Sequence, residues 1–407
     1  MALVVQKFGG TSVGDAQRIR AVADHVARTR DDGNEVVVVV SAMGKFTDDL
    51  VRLADEVSPT RPPRELDMLL TAGERISMAL VCMALAARGV QSASFTGSQA
   101  GIITDTDHTR AKILEIRPDR IREALDSGLV PVVAGFQGVS TERNITTLGR
   151  GGSDVTAVAL AAALKADVCE IYTDVTGVFS ADPRVVPKAR RIAKVSFDEM
   201  LEISATGGRV MMLRSVELAR RHGVPIHVRS RFTWEPGTWI VEEDPTMEEA
   251  VVSAITDDTS EAKITVGGVP DRPGVAAQLF RELANRGINV DMIVQNTGAN
   301  GMTDISFTVA KTDLDVSRDV CDLVKDDIGA AEVTTDDNIG RVTIVGAGMK
   351  SSPGVTALMF ETLYEHGINI EMISTSSIRI SCVLRAEKVA DAVRYLHTAF
   401  GLDAVEF

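Results

Sequence analysis

The stretch TTLGRGGSD at residues 146–154 lies between two apolar segments of different period, and it decides the fold class. Before it, residues 129–136 form a short Val-rich run, which is typical of a buried strand. After it, apolar residues recur at helical spacing from Val155, and Ser153 and Asp154 are suitable N-caps for that helix. The sequence therefore predicts a strand, a glycine-rich loop and a helix whose N-terminus can attract an anion. An ordinary strand–turn–helix connection would contain the same glycines.

Two side chains give this loop the chemistry of a ligand site. Arg150 carries a forked donor that suits a carboxylate, and Asp154 carries an oxygen that suits Mg²⁺ or an amide. Glycines 149, 151 and 152 leave no Cβ in the way of a ligand.

The start of the chain predicts a second glycine turn at the same kind of position. Residues 3–5 read as a strand, KFGGTS follows at 7–12, and residues 35–43 form a β-branched run typical of a strand buried on both faces. Ser12 and Asp15 resemble a capping box for the intervening helix. This βαβ pattern predicts an α/β fold, with Gly9 and Gly10 at the ligand-binding edge of a parallel sheet. Lys7 could reach a phosphate there or extend to water, and the turn matches neither a Walker A loop nor GxGxxG.

Three further segments contain candidate site residues. Small and hydroxyl residues, including Ser41 and Thr47, follow the second strand, where Thr47 caps a helix or contacts substrate. A long helical pattern over residues 65–87 contains Gly73, which indicates a close backbone approach or a break, and Glu74, a solvated carboxylate or an acceptor for an ammonium. Residues 172–184 place hydroxyls, acids and one arginine beyond a strand, which suits a ribose and phosphates or a plain turn.

Composition excludes several classes of protein. The 407 residues suffice for two or three domains, and a net charge of −14 argues against a nucleic-acid partner. The first ten residues lack the basic region of a signal peptide, and the apolar run at 36–40 is far shorter than the ~20 residues of a membrane span. Four scattered cysteines predict buried free thiols rather than a metal site. We expect a cytoplasmic protein with no membrane or nucleic-acid partner.

The last third of the chain contains an internal repeat. GINVDMI at residues 287–293 returns as GINIEMI at 367–373, and the PGV that begins at Pro273 returns at Pro353, both with an offset of 80 residues. Each unit reads as strand, turn, helix and further strands, so the pattern predicts two small βαββαβ modules.

Taken together, the motifs resemble the aspartate kinases of the amino acid kinase family, and the repeats resemble the paired ACT domains that end such enzymes. The residues that carry this resemblance are KFGGTSV at 7–13, SAM at 41–43, TAGER at 71–75, TTLGRGGSD at 146–154, YTDVTGV at 172–178 and ADPR at 181–184. The resemblance implies a three-layer αβα kinase domain over residues 1–246. Ferredoxin-like ACT domains would follow over 247–340 and 341–407, unless the two are interleaved. It also implies phosphorylation of the side-chain carboxylate of L-aspartate by ATP with Mg²⁺, the first step of lysine, threonine and methionine biosynthesis.

The same resemblance implies roles for individual residues. Lys7 would contact the transferring phosphoryl group, Glu74 the substrate ammonium, Arg150 the substrate α-carboxylate, and Asp154 would organise Lys7. The implied nucleotide-binding residues are Lys7, Phe8, Gly9, Gly10, Ser41, Thr173, Asp174, Phe179, Ser180, Asp182, Arg184 and Arg209. The implied substrate-binding residues are Thr47, Glu74, Arg150, Gly151, Gly152, Ser153 and Asp154.

The ACT pair implies feedback inhibition by lysine, threonine or both, and a homo-oligomer formed through these modules. A separate ACT-only regulatory subunit from an internal start is left open. The implied effector-binding residues are Asp271, Gly274, Val275, Ala276, Asn289, Val290, Asp291 and Gln295, with Asn369, Ile370, Glu371 and Ser374 in the second repeat. The second repeat lacks the acid of Pro270-Asp271-Arg272, so a purely structural second module is an alternative.

Two other functions compete with this interpretation. A related kinase acting on glutamate, acetylglutamate or uridylate is disfavoured by Glu74 within TAGER and by the ACT pair. A catalytically inactive amino-acid sensor is disfavoured by the presence of Lys7, Arg150 and Asp154.

Overall fold

The computed structural model describes residues 1–208, 210–243, 252–297 and 301–403. The chain forms two compact units. The first comprises residues 1–178, 191–204 and 209–246, and the second comprises 179–190, 205–208 and 247–407. The domain boundary expected at 246/247 lies outside the described residues.

The first unit is built on an eight-stranded sheet and a smaller four-stranded sheet. Its strands are β1 Leu3–Phe8, β2 Glu35–Val40, β3 Ser92–Phe95, β4 Ile102–Thr104, β5 Ile113–Ile116, β6 Val130–Ala134, β7 Gln137–Ser140, β8 Ile145–Thr147, β9 Val168–Thr173, β10 Lys194–Ser196, β11 Ile226–Ser230 and β12 Thr238–Val241. Its helices are α1 Ala16–Asp31, α2 Phe46–Val57, α3 Pro63–Leu70, α4 Ala72–Ala86, α5 Asp119–Asp126, α6 Gly152–Leu164, α7 Phe197–Ala205 and α8 Leu213–His222.

The large sheet has the order β10-β12-β11-β9-β1-β2-β6-β3 and is parallel except between β11 and β12. β1 lies at its centre, paired in parallel with β2 and β9. The Val-rich strand β2 is buried from Val36 onward, as expected for a central parallel strand covered on both faces. The predicted α/β class and βαβ unit are therefore confirmed.

Helices cover the sheet so that successive residues of β1 face different surroundings. Phe8 packs in a core with Val22 and Val26 of α1 and Val81 of α4. Because side chains alternate along a strand, Lys7 leaves from the other face, where α6 packs against β1 and β9. The ligand-binding edge thus separates a Lys7 face from a Phe8 face.

The helical pattern over 65–87 is not one helix, because Thr71 separates α3 from α4. By composition residues 63–86 are long and apolar enough to cross a membrane. Val81 and Leu85 are fully buried against the sheet, however, which is the placement of a core helix.

Two details around the glycine loops differ from the sequence-based prediction. A hairpin of β7 and β8 intervenes between the buried strand β6 and the loop, so Thr146 and Thr147 belong to a strand. The N-cap of α6 is Gly151 in the left-handed region (φ 70°), so Ser153 and Asp154 lie in the first turn instead of capping it. At α1 the cap is Asp15, whose side chain accepts from the Arg18 amide, and not Ser12.

The second unit contains two four-stranded antiparallel sheets, in the orders β15-β16-β14-β17 and β13-β18-β20-β19. Its strands are β13 Ala254–Asp258, β14 Glu261–Pro270, β15 Val290–Thr297, β16 Met302–Ala310, β17 Glu332–Asp336, β18 Ile339–Val345, β19 Met372–Thr375 and β20 Arg379–Arg385. Its helices are α9 Val275–Asn285, α10 Leu314–Ile328, α11 Gly354–Glu365 and α12 Val389–Ala399. The first repeat completes the predicted order βαββαβ from β14 to β17.

The second repeat recruits chain from outside its own sequence. β13, which precedes the first repeat, pairs antiparallel with β18 of the second repeat. Ala181 and Val186 of the segment 179–190 belong to the same buried core as Leu396 of α12. Ser180 is fully buried there, and its hydroxyl lies 2.8 Å from Nε2 of His397.

Candidate active site

The first feature of the site is a shielded ion pair between Lys7 and Asp154. The Nζ of Lys7 lies 2.6 Å from Oδ1 of Asp154, and both side chains are 12% exposed. β1 presents Lys7 at the sheet edge, and the first turn of α6 presents Asp154 at the end where helix amides point outward. The two loops singled out in the sequence therefore meet through a pair of opposite charges.

The glycine turn after β1 is closely packed against the end of β2. A Cβ on Gly10 would lie 2.7 Å from the carbonyl oxygen of Ala42, and the Gly44 amide donates to the Gly10 carbonyl at 3.0 Å. A Cβ on Gly9 would approach Nζ of Lys7 at 3.4 Å. These contacts leave backbone and the lysine ammonium as the groups that line this part of the edge.

Glu74 is a buried carboxylate in the first turn of α4. It is 3% exposed, and its Oε1 accepts from the Ala42 amide at 3.1 Å. Its Oε2 is buried without a hydrogen-bond partner among the described residues. Burial raises the pKa of Glu74 to about 7. A buried carboxylate oxygen with no donor is the group that a ligand ammonium would satisfy.

Gly73 explains how α4 reaches this position. A Cβ at Gly73 would lie 2.6 Å from the Cβ of Ala42, so only glycine allows the helix to approach the end of β2 this closely. The close backbone approach that the sequence indicated is present.

The remaining substrate-side candidates differ in exposure. Arg150 is exposed, Thr47 is half-buried in the first turn of α2 behind the N-cap Lys45, and Ser153 is buried beside Gly135. A Cβ on Gly151 would collide with the Met212 side chain, and a Cβ on Gly152 would meet Phe136 and Leu148 at 2.9 Å. Both glycines are thus required by packing as well as by any ligand.

The nucleotide-side candidates separate into two groups. In the first unit, Ser41 directly follows β2 and Thr173 is the last residue of β9. The Thr173 hydroxyl donates to Asp174 at 3.1 Å. Phe179, Ser180, Asp182 and Arg184 belong to the second unit, where Arg184 forms a forked ion pair with Asp182. Arg209 lies outside the described residues.

Ser180 does not have the free hydroxyl that its proposed role in nucleotide binding needs. Besides its bond with His397, its Oγ accepts from the Arg190 amide at 3.0 Å. Nδ1 of His397 lies 2.8 Å from Asp403, so the serine is the end of a buried polar chain. These contacts could not be predicted from the sequence, because the histidine is more than 200 residues away.

A buried polar network beneath the sheet edge was also missed. Glu170 accepts from Gln6 at 2.8 Å, from the Tyr172 hydroxyl at 2.9 Å and from Arg229 at 3.0 Å. Burial would raise the pKa of Glu170, but hydrogen bonds from His227 and Gln6 and the charge of Arg229 lower it to about 2. A glutamate inside the apolar run 168–172 was the available signal for this network, which ties β1, β9 and β11 together.

Part of the predicted effector set lines one cavity in the first repeat. The cavity has a volume of about 330 Å³ and lies at the turn between β14 and α9. The expected residues in its lining are Asp271, Gly274, Val275, Ala276 and Gln295. Asn289 is exposed, and Val290 packs against the core of its own repeat.

Asp291 and Glu371, two of the predicted effector-binding residues, form ion pairs within the second unit. Asp291 pairs with Arg341 of β18, which is 3% exposed and also contacts Glu261 at 2.9 Å. Burial would raise the pKa of Asp291, but the Arg341 charge lowers it. Glu371 lies between Lys263 and Arg385. The sequence could not show the pairs of Asp291 with Arg341 and of Lys263 with Glu371, because each joins one repeat to the other.

The other second-repeat candidates show no such cavity among the described residues. Asn369 is exposed, Ile370 packs against the core, and Ser374 is half-buried in β19. Within the described part of the chain, no group of three or more His, Cys, Asp or Glu side chains could hold a metal ion.

Comparison with known proteins gives matches over the whole chain. The amino acid kinase family model matches residues 2–230, and ACT domain models match residues 264–326 and 342–400. Aspartokinase of Mycolicibacterium smegmatis is 57% identical over 407 residues, which cover 99% of this chain and 97% of that relative.

Two solved structures of E. coli aspartokinase III are similar in fold. The complex with aspartate and ADP, in the R-state, has a TM-score of 0.83 at 25% identity and covers 98% of this chain and 99% of that one. The complex with lysine and aspartate, in the T-state, has a TM-score of 0.76 at 26% identity with the same coverage.

Proposed function

Because the chain belongs to the aspartokinases of the amino acid kinase family, we propose that it transfers the γ-phosphoryl group of ATP to the side-chain carboxylate of L-aspartate. The product is then 4-phospho-L-aspartate, the first intermediate on the route to lysine, threonine and methionine. The observation that carries the assignment of the site is the Lys7–Asp154 pair at the sheet edge, together with the buried, unpartnered oxygen of Glu74.

The reaction needs no general base from the protein. An aspartate carboxylate has an ordinary pKa of about 3.9, so the nucleophile is already ionised at neutral pH. What remains is to position it and to neutralise charge on the transferring phosphoryl group. Lys7 supplies that charge, the amides of Gly9 and Gly10 supply donors, and Asp154 holds the lysine ammonium in place.

Glu74 and Arg150 would hold the two ends of the amino acid. The unpartnered oxygen of Glu74 accepts the substrate ammonium, and the exposed guanidinium of Arg150 takes the α-carboxylate in forked geometry. Thr47, Ser153 and the amides at 151–154 complete this half of the site. The E. coli relative was solved with aspartate and ADP bound, which supports neighbouring sites for an amino acid and a nucleotide.

Thr173 and Asp174 are the nucleotide-side residues of the first unit. ATP would bring Mg²⁺, and since the described residues include no group of three or more His, Cys, Asp or Glu side chains that could hold a metal, phosphate oxygens and water would hold the ion. When bound, the ion would supply positive charge between the phosphates. Phe179, Ser180, Asp182 and Arg184 stay predictions for the nucleotide side, with the Ser180 hydroxyl already bonded to His397 and to the Arg190 amide.

The ACT repeats would bind lysine, threonine or both and inhibit the kinase. The cavity beside Asp271 has a carboxylate for an amino-acid ammonium and an amide from Gln295 for polar specificity. An E. coli relative was solved with lysine bound, which supports the amino-acid class. A homo-oligomer through the ACT repeats, with or without a separate ACT-only subunit, and a cytoplasmic location complete the proposal.

The decisive experiment measures aspartyl hydroxamate formed from Mg²⁺-ATP and aspartate in the presence of hydroxylamine. Glutamate, acetylglutamate and uridylate serve as alternative acceptors, and lysine and threonine are added singly and together. We expect hydroxamate only with aspartate and less of it with an effector. Turnover with another acceptor would reassign the substrate, and effector binding without any turnover would indicate a sensor.

A further inference from the structure

A small pocket on the Phe8 face of the sheet contains several polar atoms without partners. It has a volume of about 60 Å³ and is bounded by Phe8, Ser12, Arg18 and His25 on one side and by Arg231 on the other. Arg231 follows β11 directly, and its amide donates to the Thr173 carbonyl at 3.0 Å. The pocket therefore lies at the carboxyl edge of the sheet, under the start of α1.

Three of these side chains have buried polar atoms that no described residue satisfies. Ser12 is 2% exposed and its Oγ has no partner, and His25 is 8% exposed and its Nδ1 has none. The guanidinium of Arg231 has Nε and Nη1 buried without acceptors. Leaving one such group unsatisfied costs roughly 1–3 kcal/mol, so several around one cavity indicate a missing occupant.

The charges indicate what kind of occupant fits. Arg18 and Arg231 both line the pocket, so two guanidinium groups border the same space. Burial and the nearby charge of Arg18 lower the pKa of Arg231. Arg18 has Asp15 at 3.2 Å, and Asp174 offsets part of the Arg231 charge. Guanidinium N–H groups and a hydroxyl are the donors that proteins present to phosphate oxygens.

We propose that this pocket binds a tetrahedral phosphate-type oxyanion. One water molecule needs a cavity volume of roughly 10–15 Å³. The pocket, at about 60 Å³, therefore has room for a group of four or five heavy atoms. The site is separate from the Lys7–Asp154 pair, because Lys7 and Phe8 are successive residues of β1 and their side chains leave from opposite faces. The inference does not depend on the roles proposed for Lys7 or Glu74.

The test is calorimetric titration of inorganic phosphate into the full-length protein without nucleotide. Arg231→Gln removes the unpartnered donors, and Arg20→Gln removes one exposed charge from α1 as a matched control. We expect phosphate binding to weaken at least tenfold in Arg231→Gln and in Ser12→Ala, and to be unchanged in Arg20→Gln. Circular dichroism and melting temperature check that each variant is folded.

The source of the oxyanion is resolved by competition with ATP. If the pocket takes a phosphate of the nucleotide, inorganic phosphate raises the KM for ATP in the wild type but not in Arg231→Gln. If it takes free phosphate, binding persists in the presence of saturating nucleotide. Absence of phosphate binding to the wild type, or equal binding in folded Arg231→Gln and Ser12→Ala, would overturn the proposal.

Discussion

Lys7 and Asp154 stabilise each other at 2.6 Å, and this pairing changes what a single substitution at Lys7 would report. Removing one partner of a shielded pair leaves the other charge uncompensated, which costs up to about 3–5 kcal/mol when the pair is fully buried. Because both side chains here are 12% exposed, we expect the lower part of that range. Loss of activity in Lys7→Met alone would therefore mix lost chemistry with lost stability.

The double variant Lys7→Met/Asp154→Asn separates the two effects. We expect it to recover most of the melting temperature lost in Lys7→Met, while kcat stays at least about 100-fold below the wild type, the loss typical of one missing charge-stabilising donor. Thermal melting and hydroxamate formation measure the two quantities. A kcat near the wild-type value in the folded double variant would remove Lys7 from the phosphate site.

Glu74 makes aspartate use depend on pH. Burial raises its pKa from the ordinary 4.5 to about 7, so the free enzyme holds a proton there that an incoming ammonium must displace. We expect the KM for aspartate to rise as pH falls below 7, by up to tenfold per pH unit. In Glu74→Gln, which keeps the acceptor for the Ala42 amide, KM should be higher and this pH dependence should vanish. Initial rates between pH 5.5 and 8.5 test both expectations, and an identical profile in the two proteins would contradict the assignment.

The raised pKa of Glu74 also makes the stability of the substrate-free protein depend on pH. Since the folded state binds this proton more tightly, the Glu74 contribution makes the protein less stable as pH rises from about 4.5 to 7, and Glu74→Gln should lack this slope. Comparison of denaturant unfolding in the two proteins over that window isolates the effect.

At the scale of elements, the contact of α4 with the end of β2 depends on Gly73. Alanine in an exposed helix would gain about 1 kcal/mol over glycine, but here its Cβ would lie 2.6 Å from that of Ala42. We expect Gly73→Ala to lose about 1–3 kcal/mol of stability and to displace Glu74 next to it. Gly354→Ala, at the start of α11 with no atom within 4 Å of the new Cβ, is the matched control and should be neutral or slightly stabilising. Urea unfolding compares them, and equal effects would contradict the packing argument.

The buried hydroxyl of Ser180 attaches the segment 179–190 to its surroundings, which allows a second prediction. Ser180→Ala removes a hydroxyl that bonds both His397 and the Arg190 amide in a fully buried position. We expect a loss of about 1–3 kcal/mol, because the buried Nε2 of His397 is left unsatisfied and the Arg190 amide loses its acceptor. Ser127→Ala, at an exposed hydroxyl that follows α5, is the control. Denaturant unfolding measures the change in stability, and hydrogen exchange of residues 179–190 measures the local effect. An unchanged stability would show that the hydrogen bonds linking Ser180, His397 and Asp403 contribute little.

Local sequence predicted the elements whose determinants are local. Continuous Val runs indicated the central strands, and the helical period indicated α6. It did not predict that Gly151 is the N-cap of α6, where the backbone is left-handed (φ 70°) and a Cβ would collide with the side chain of Met212, 61 positions further on. It also joined α3 and α4, since Thr71 has no marked effect on helical periodicity.

At the scale of the whole chain, the 80-residue repeat identified two similar modules but not how they share strands. β13 pairs with β18, almost 90 residues away, and nothing in the composition of 254–258 indicates which repeat it joins. For the same reason the ion pairs of Arg341 and Glu371 were invisible, and residues that match an effector-binding pattern turned out to hold the repeats together. The sequence indicated candidate site chemistry where a short motif contains it, as with Lys7 beside the first glycine turn and Asp154 in the second glycine loop.

The two repeats therefore differ in whether they present an unneutralised carboxylate to an effector. In the first, Asp271 is an exposed carboxylate in the lining of a 330 Å³ cavity. In the second, Glu371 is neutralised by Lys263 and Arg385. Since an amino-acid effector needs an acceptor for its ammonium, inhibition should depend on the first repeat more than on the second.

Asp271→Asn tests this at the level of regulation. Loss of one charge-assisted hydrogen bond is worth about 1.5–3 kcal/mol, so we expect the effector concentration for half-inhibition to rise about tenfold or more, with kcat and the KM for aspartate unchanged. Asp326→Asn, an exposed acid of the same repeat outside the cavity lining, should leave inhibition as in the wild type. Hydroxamate assays over a range of lysine and threonine concentrations measure it. Normal inhibition in Asp271→Asn would move the effector site away from this cavity, because Asp271 is the one carboxylate among the described residues that line it.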